Sequence, residues 1–187
     1  MSNRPFQRAA AKLSIASLDD SDLLVEAQYN PAVLQVSQTV GWSDHASIAG
    51  QNKNTLTEFA GTKPQTMSIE LLFDGYETEG VAGTCTVEAH IARLKQLATV
   101  RFPESSEEHE RRPHYCLVAW GERGVPALRC VIESLTTKYT MFSRTGQVLR
   151  ATVTVAVKEI DLAAIAREQA YREARTTEMN RRRGYPG

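Results

Sequence analysis

Charge of neither sign predominates: 22 basic and 22 acidic side chains cancel over 187 residues. That balance removes the broad attraction that draws a basic protein onto nucleic acid or an anionic membrane, so a polyanion partner would need a local patch. Cysteine is scarce as well. Cys85, Cys116 and Cys130 form an odd set with no Cys-x-x-Cys spacing. This argues against a disulfide framework and fits reduced, buried thiols in a protein made in the cytoplasm, with a single disulfide still compatible. No apolar run approaches the roughly 18 residues of a membrane-spanning helix. Arg4, Arg8 and Lys12 interrupt the start, where a secretory signal would be apolar. The expectation is no cleaved export signal and no direct membrane insertion.

Groupings that carry chemistry are sparse too. His109, His114 and Cys116 come nearest to a zinc cluster, but a fourth ligand is missing, and Cys116 packs more simply in a sheet. His45 and His90 do not complete the set. No Gly-x-Ser-x-Gly elbow or cysteine-protease signature is present. The acid pairs Asp19-Asp20 and Glu107-Glu108 sit in polar surroundings typical of solvated loops, not of buried general acids and bases. Gly121-Glu-Arg-Gly124 lacks the lysine and helix of a phosphate loop and reads as a hairpin turn. Arg181 to Arg183 suit a solubilising tail better than a nucleic-acid contact. The sequence therefore predicts a non-enzyme with no cofactor, no metal and no nucleic-acid partner.

What is present is the composition of a globular protein, 42% hydrophobic and 24% charged, enough for one core. Leu23, Val25, Ala27 and Tyr29 alternate with Leu24, Glu26 and Gln28 as one side of a strand. Asn30-Pro31 breaks that strand. A second strand is expected on Leu34, Val36 and Val40. Gly41 to Gly61 is polar and small, and predicts a long loop whose large apolar groups are Trp42, Ile48, Leu56 and Phe59. After Pro64, the alternation of Met67, Ile69, Leu71 and Phe73 marks the clearest strand, with Leu72 as an exception on the polar side. Val87, His90, Ile91, Leu94, Leu97 and Ala98 recur at helical spacing behind Thr84 or Thr86 as N-cap, so a helix should lie on the sheet and end before Pro103.

Pro103 to Pro113 reads as a charged surface loop. Tyr115 to Trp120, Leu128 to Leu135 and Leu149 to Ile160 supply three more strands, the last two joined by Ser143 to Gln147. Asp161 should cap a mixed-charge helix to about Asn180, followed by a frayed end. These patterns predict a mainly β (α+β) fold in which one helix packs on the sheet, followed by a charged helical extension over 161–187.

Taken in order, Tyr29-Asn30-Pro31, Phe59-x-Gly61-x-x-Pro64, Glu70-Leu-Leu-Phe-Asp74, Trp120-Gly121, Tyr139-Thr-Met-Phe142 and Gly146-x-x-x-Arg150-Ala151 resemble the tube-type domain of contractile injection systems, the phage-tail-like particles. The resemblance spans about residues 13 to 160. It implies a small antiparallel barrel or sandwich of tail-tube type over residues 13–160 with one packed helix, assembling as a hexameric ring, in the inner tube or in the baseplate hub joining tube to spike. Self, spike protein and tube proteins are the implied partners, and the particle is the implied location. Relatives often carry a LysM module after this domain. Nothing after Asp161 resembles one, so peptidoglycan binding is not carried over.

Sheets expose unpaired edges that a ring can use between subunits. On that argument and on motif position, the expected interface residues are Tyr29, Asn30, Pro31, Trp42, Phe59, Gly61, Pro64, Trp120, Tyr139, Phe142, Gly146 and Arg150. Trp42 and Phe59 would anchor an arm, with core packing as the alternative. The leading expectation is a hub ring that templates the tube. A main tube protein and a peptidoglycan-associated binding or lytic accessory stay open beside it.

Overall fold

The computed structural model describes residues 11–46, 55–76, 86–106, 110–121 and 126–167, together with Ala170 and Ala174. Nine strands and two helices make up these residues. They are β1 (Leu13–Ser17), β2 (Leu24–Glu26), β3 (Leu34–Ser37), β4 (Val40–Ala46), β5 (Thr55–Thr62), β6 (Thr66–Asp74), α1 (Val87–Ala98), β7 (Cys116–Trp120), β8 (Leu128–Phe142) and β9 (Val148–Glu159). The second helix, α2, covers 162–167.

Seven strands form one antiparallel sheet in the order β2-β1-β7-β8-β9-β6-β3, and β4 and β5 pair separately with each other. The period-2 pattern of β6 does what it predicts. Met67, Ile69, Leu71 and Phe73 are buried while Glu70 and Leu72 are exposed. Beside it, β9 buries Ala151, Val153, Val155 and Val157. Helix α1 starts at the N-cap Thr86, whose hydroxyl accepts from the Ala89 amide at 3.2 Å. It turns Val87, Ile91, Leu94 and Leu97 onto the core. Burying Phe73, Ile69, Leu71 and Val155 along with them is the main stabilising term, on the order of 1.5–3 kcal/mol per side chain.

The sheet curls until its margins meet. Strand β3 pairs only with Thr66 to Ile69, which leaves the far end of β6 open on that side. Gln28 fills part of this gap: its carboxamide donates to the Asp74 carbonyl at 2.6 Å and accepts from the Asp74 amide at 2.8 Å. One side chain thus imitates a strand partner and bridges the margins of an incomplete barrel.

Several expectations need correction. The stretch from Gly41 to Gly61 is not a long loop, because β4 and β5 make a hairpin there in register from Val40↔Thr62 to Ala46↔Thr55; residues 47–54 lie outside the described residues. The strand after Leu23 is only three residues long, and Tyr29 is exposed instead of sharing the buried side of Leu23, Val25 and Ala27. Leu34, Val36 and Val40 do not anchor one strand: β3 ends at Ser37, and Val36 and Val40 are exposed. Strand β8 runs past Leu135 to Phe142, and β1 was not foreseen. Asp161 does cap α2, its Oδ1 accepting from Ala163 and Ala164 amides at 2.9 and 3.0 Å. Thr84, Cys85, Glu107, Glu108, His109, Gly124 and the end from Arg181 lie outside the described residues.

Candidate assembly surface

The twelve residues nominated by motif position divide into two kinds. Asn30, Pro31, Gly61, Trp120, Gly146 and Arg150 build framework. Asn30 Oδ1 accepts from the Leu13 amide at 3.0 Å, and its Nδ2 donates to the Ala11 carbonyl at 2.9 Å. Trp120 Nε1 donates to the same carbonyl at 3.2 Å, so two distant motifs converge on the entry to β1. Pro31 is buried beside them in sequence. Arg150 stands opposite Asp74 in the β6–β9 register, and its guanidinium grips that carboxylate through Nε at 2.9 Å and through Nη2. The Tyr76 amide and this guanidinium hold the Asp74 carboxyl below its usual range.

Gly146, at φ +87°, turns β8 into β9, and Ser143 closes the turn: its Oγ accepts from the Thr145 and Gln147 amides. Gly61 has φ +113° where the arm bulges. Pro64 is exposed in the joint between β5 and β6.

Trp42, Phe59, Tyr139, Phe142 and Tyr29 are instead surface groups. Trp42 and Phe59 face each other across β4 and β5 with ring centroids 5.7 Å apart at 68°, yet are 63% and 60% exposed. Tyr139 and Phe142, on the long end of β8, lie 6.5 Å apart and are 42% and 56% exposed. Edge-to-face pairs of this kind are favourable contacts, but most of their apolar area stays in water. Tyr29, with Pro31, Val33 and Leu72, borders a groove of about 310 Å³ where β3 leaves β6 unpaired.

A second feature, an ion-paired cluster around Asp19, has little local signature. Asp19 does not sit in a solvated loop. Its carboxylate accepts both Arg112 Nη atoms at 2.9 and 3.0 Å and the Tyr115 amide at 2.8 Å, with Arg101 3.1 Å away. The Arg112 guanidinium, itself stacked 3.5 Å over the Tyr115 ring, holds this carboxyl below its ordinary range. A signal existed only in the count of arginines near Pro113, since the pairing spans most of the chain. This pin fastens the segment after α1 to the β1–β2 connection, next to an open cleft of about 500 Å³ lined by Asp19, Asp20, Gln96, Arg101, Phe102 and His114.

Beside the pin, Ser17 Oγ lies 2.8 Å from His114 Nδ1, a separation that resembles a nucleophile and its base. Both Ser17 lone pairs are already taken by the Asp19 and Asp20 amides at 3.0 Å. The hydroxyl must therefore donate to Nδ1, which fixes the proton of neutral His114 on Nε2. With its lone pairs occupied and its side chain buried, Ser17 is a connector of loops and not an attacking group. Burial, and then Arg101, hold His114 below the ordinary histidine value. Burial likewise pushes the Cys116 and Cys130 thiols, cross-strand partners in β7 and β8, up to about 12, so both stay protonated at neutral pH. Among the described residues, no group of three or more His, Cys, Asp or Glu side chains converges to hold a metal ion, and no helix is long and apolar enough to cross a membrane.

A curled antiparallel sheet with a projecting hairpin and outward-facing aromatic pairs defines a protein built to be part of an assembly. The family model of contractile injection system tube proteins matches residues 9–167, and the chain belongs to that family. It is accordingly a structural protein of a phage-tail-like particle, assembling with itself and with other particle components. No curated protein matches it significantly.

Proposed function

We propose that the chain forms a hexameric ring at the baseplate hub, where it joins the spike to the inner tube and templates tube growth, with residues 13–160 as the ring domain and 161–187 as an extension. The observation that carries this reading is the β4–β5 arm, which pairs only with itself and holds Trp42 and Phe59 in solvent at a size suited to interface anchors. The nominated residues enter the reading in two roles. Trp42, Phe59, Tyr139, Phe142 and Tyr29 touch neighbours, whereas Asn30, Pro31, Gly61, Pro64, Trp120, Gly146 and Arg150 shape the strands that present them.

The face of the central strands turned away from the core suits a channel wall. Across β6, β9 and β8, successive rungs place Ser68, Ala156 and Ser134, then Glu70, Thr154 and Thr136. Short hydroxyl side chains offer little apolar surface for cargo to adhere to. A main tube protein would share these features, and copy number separates the two readings. Quantitative mass spectrometry and electron microscopy of intact particles should count one ring of this chain near the spike. Many rings along the tube would make it the main tube protein, and a strictly monomeric protein absent from particles would sink both.

A further inference from the structure

We propose that copies of this chain join head to tail, with the Trp42–Phe59 arm of one copy seated on the Tyr139–Phe142 tip of the next; this contact rests on the assembly reading above and gives it a polarity. The register supplies the first argument. In the β6–β9 ladder, Thr66 stands opposite Lys158 and Asp74 opposite Arg150. The arm enters β6 at the Thr66 end. The β8–β9 turn at 143–147 lies beyond the Arg150 end. Eight residue steps of about 3.4 Å separate the two, roughly 27 Å of strand, so the aromatic pairs occupy opposite poles and cannot meet within one copy.

Composition supplies the second argument. Trp42 and Phe59 share their side of the arm with Asp44, two residues along β4, and the strand residues of β4 and β5 include Asp44 and Glu58 but no Lys or Arg. The tip from Thr136 to Arg150 carries Lys138, Arg144 and Arg150; Arg150 is paired with Asp74 and Lys138 lies on the opposite side of β8 from Tyr139, so the exposed Arg144, two residues after Phe142, is the cation that a partner would meet there. Each pole thus presents two aromatics that are 42–63% exposed, with the Asp44 carboxylate on the aromatic side of the arm and the exposed Arg144 in the turn at the tip, a complementarity that orients a protein contact. Because the two surfaces differ, the contact is heterologous: it leaves one arm and one tip unused at the ends of any open series and propagates until it closes or is stopped.

The test uses two double variants of the full chain, arm-broken (Trp42→Ala with Phe59→Ala) and tip-broken (Tyr139→Ala with Phe142→Ala). Circular dichroism and urea midpoints check that each folds. Each alone should lose self-association about thirtyfold, as expected for removal of interface anchors. Mixed, they should form a one-to-one complex by light scattering, since one intact arm meets one intact tip. A second pair guards against misfolding: Asp44→Lys and Arg144→Glu should each weaken association, and the combined variant should recover it. If the mixture stays monomeric, or if either variant alone associates as the unaltered protein does, the head-to-tail contact is wrong. Should that happen while the unaltered protein still forms rings and enters particles, the ring reading stands without it; an unaltered protein that never self-associates removes both.

Discussion

Strands β5 and β6 are consecutive parts of one limb, parted only by Lys63, Pro64 and Gln65, yet they meet opposite surroundings. In β6, every second side chain is buried in the core that β9 and α1 share, and Phe73 stacks on His90 at 4.7 Å. In β5, the equivalent apolar group is Phe59, which has Trp42 across the ladder and water over most of its surface. Both strands have hydrogen-bonded partners, so pairing does not distinguish them. Layering does: a sheet becomes part of a core only when a second layer covers one face. The same residue chemistry therefore serves folding in β6 and is left available for association in β5.

This contrast can be broken most strongly at Phe73. Phe73→Ala empties a fully buried site and should cost about 3–5 kcal/mol, read as a lower urea midpoint; an unchanged midpoint would show that the core does not depend on β6. Next in size is the pin on the other side of the barrel. Asp19→Ala leaves Arg112 and the Tyr115 amide without their acceptor and should cost about 1.5–3 kcal/mol by the same measurement.

Acid should act on the same region in two stages. His114 and His90 are both held below the ordinary histidine value near 6.5, chiefly by burial, so their contributions are complete above that pH and are lost as pH falls through the lower folded values. Asp19 and Asp74 are depressed from 3.8, and their contributions disappear only below that pH. Urea midpoints should thus decline first below pH 6.5, and His114→Asn should make this first stage shallower while leaving the contribution of His90; a decline left unaltered in that variant would assign it elsewhere.

Gly146→Ala comes third. The turn is open around a Cβ at that position, so the penalty is the left-handed backbone alone, about 1–2 kcal/mol. Smallest of all for folding is Trp42→Ala, which should shift the unfolding midpoint of the isolated chain by no more than about 0.5 kcal/mol while impairing assembly in sedimentation. Equal loss of folding and assembly would place Trp42 in the folding core and erase the contrast with β6.

The elements legible in sequence are those with a strong local period. Met67 to Phe73 declares a strand, and Thr86 with Val87, Ile91, Leu94 and Leu97 declares a capped helix, because each pattern is complete within a few turns or residues. The arm was illegible. Gly41, Ser43, Asp44, Thr57 and Gly61 look like loop residues, and what makes them strands is their partner, whose register no local pattern specifies. Strand β1 was missed for a related reason: Leu13 and Ile15 are its only large apolar groups, and it gains its identity between β2 and β7. Of the nominated interface residues, motif order picked out groups that matter to shape, but it did not separate Asn30, Trp120 and Arg150, which hold the frame, from Trp42, Phe59 and Phe142, which face water.

By itself the sequence determined the class of molecule: a balanced surface charge, apolar alternation sufficient for one antiparallel core, a single covering helix, and motifs in the order of a tube-type domain. These are properties of composition and short-range order, and they survive without coordinates. Only the tertiary structure decided which apolar groups fold the chain and which remain outside, because burial depends on what the rest of the chain brings overhead. It also decided that Asp19 meets Arg112, that Gln28 bridges the sheet margins at Asp74, and that the two aromatic pairs stand at opposite poles. Each of these joins residues far apart in the chain, where the free energy of a contact is set by geometry that no neighbouring residue encodes.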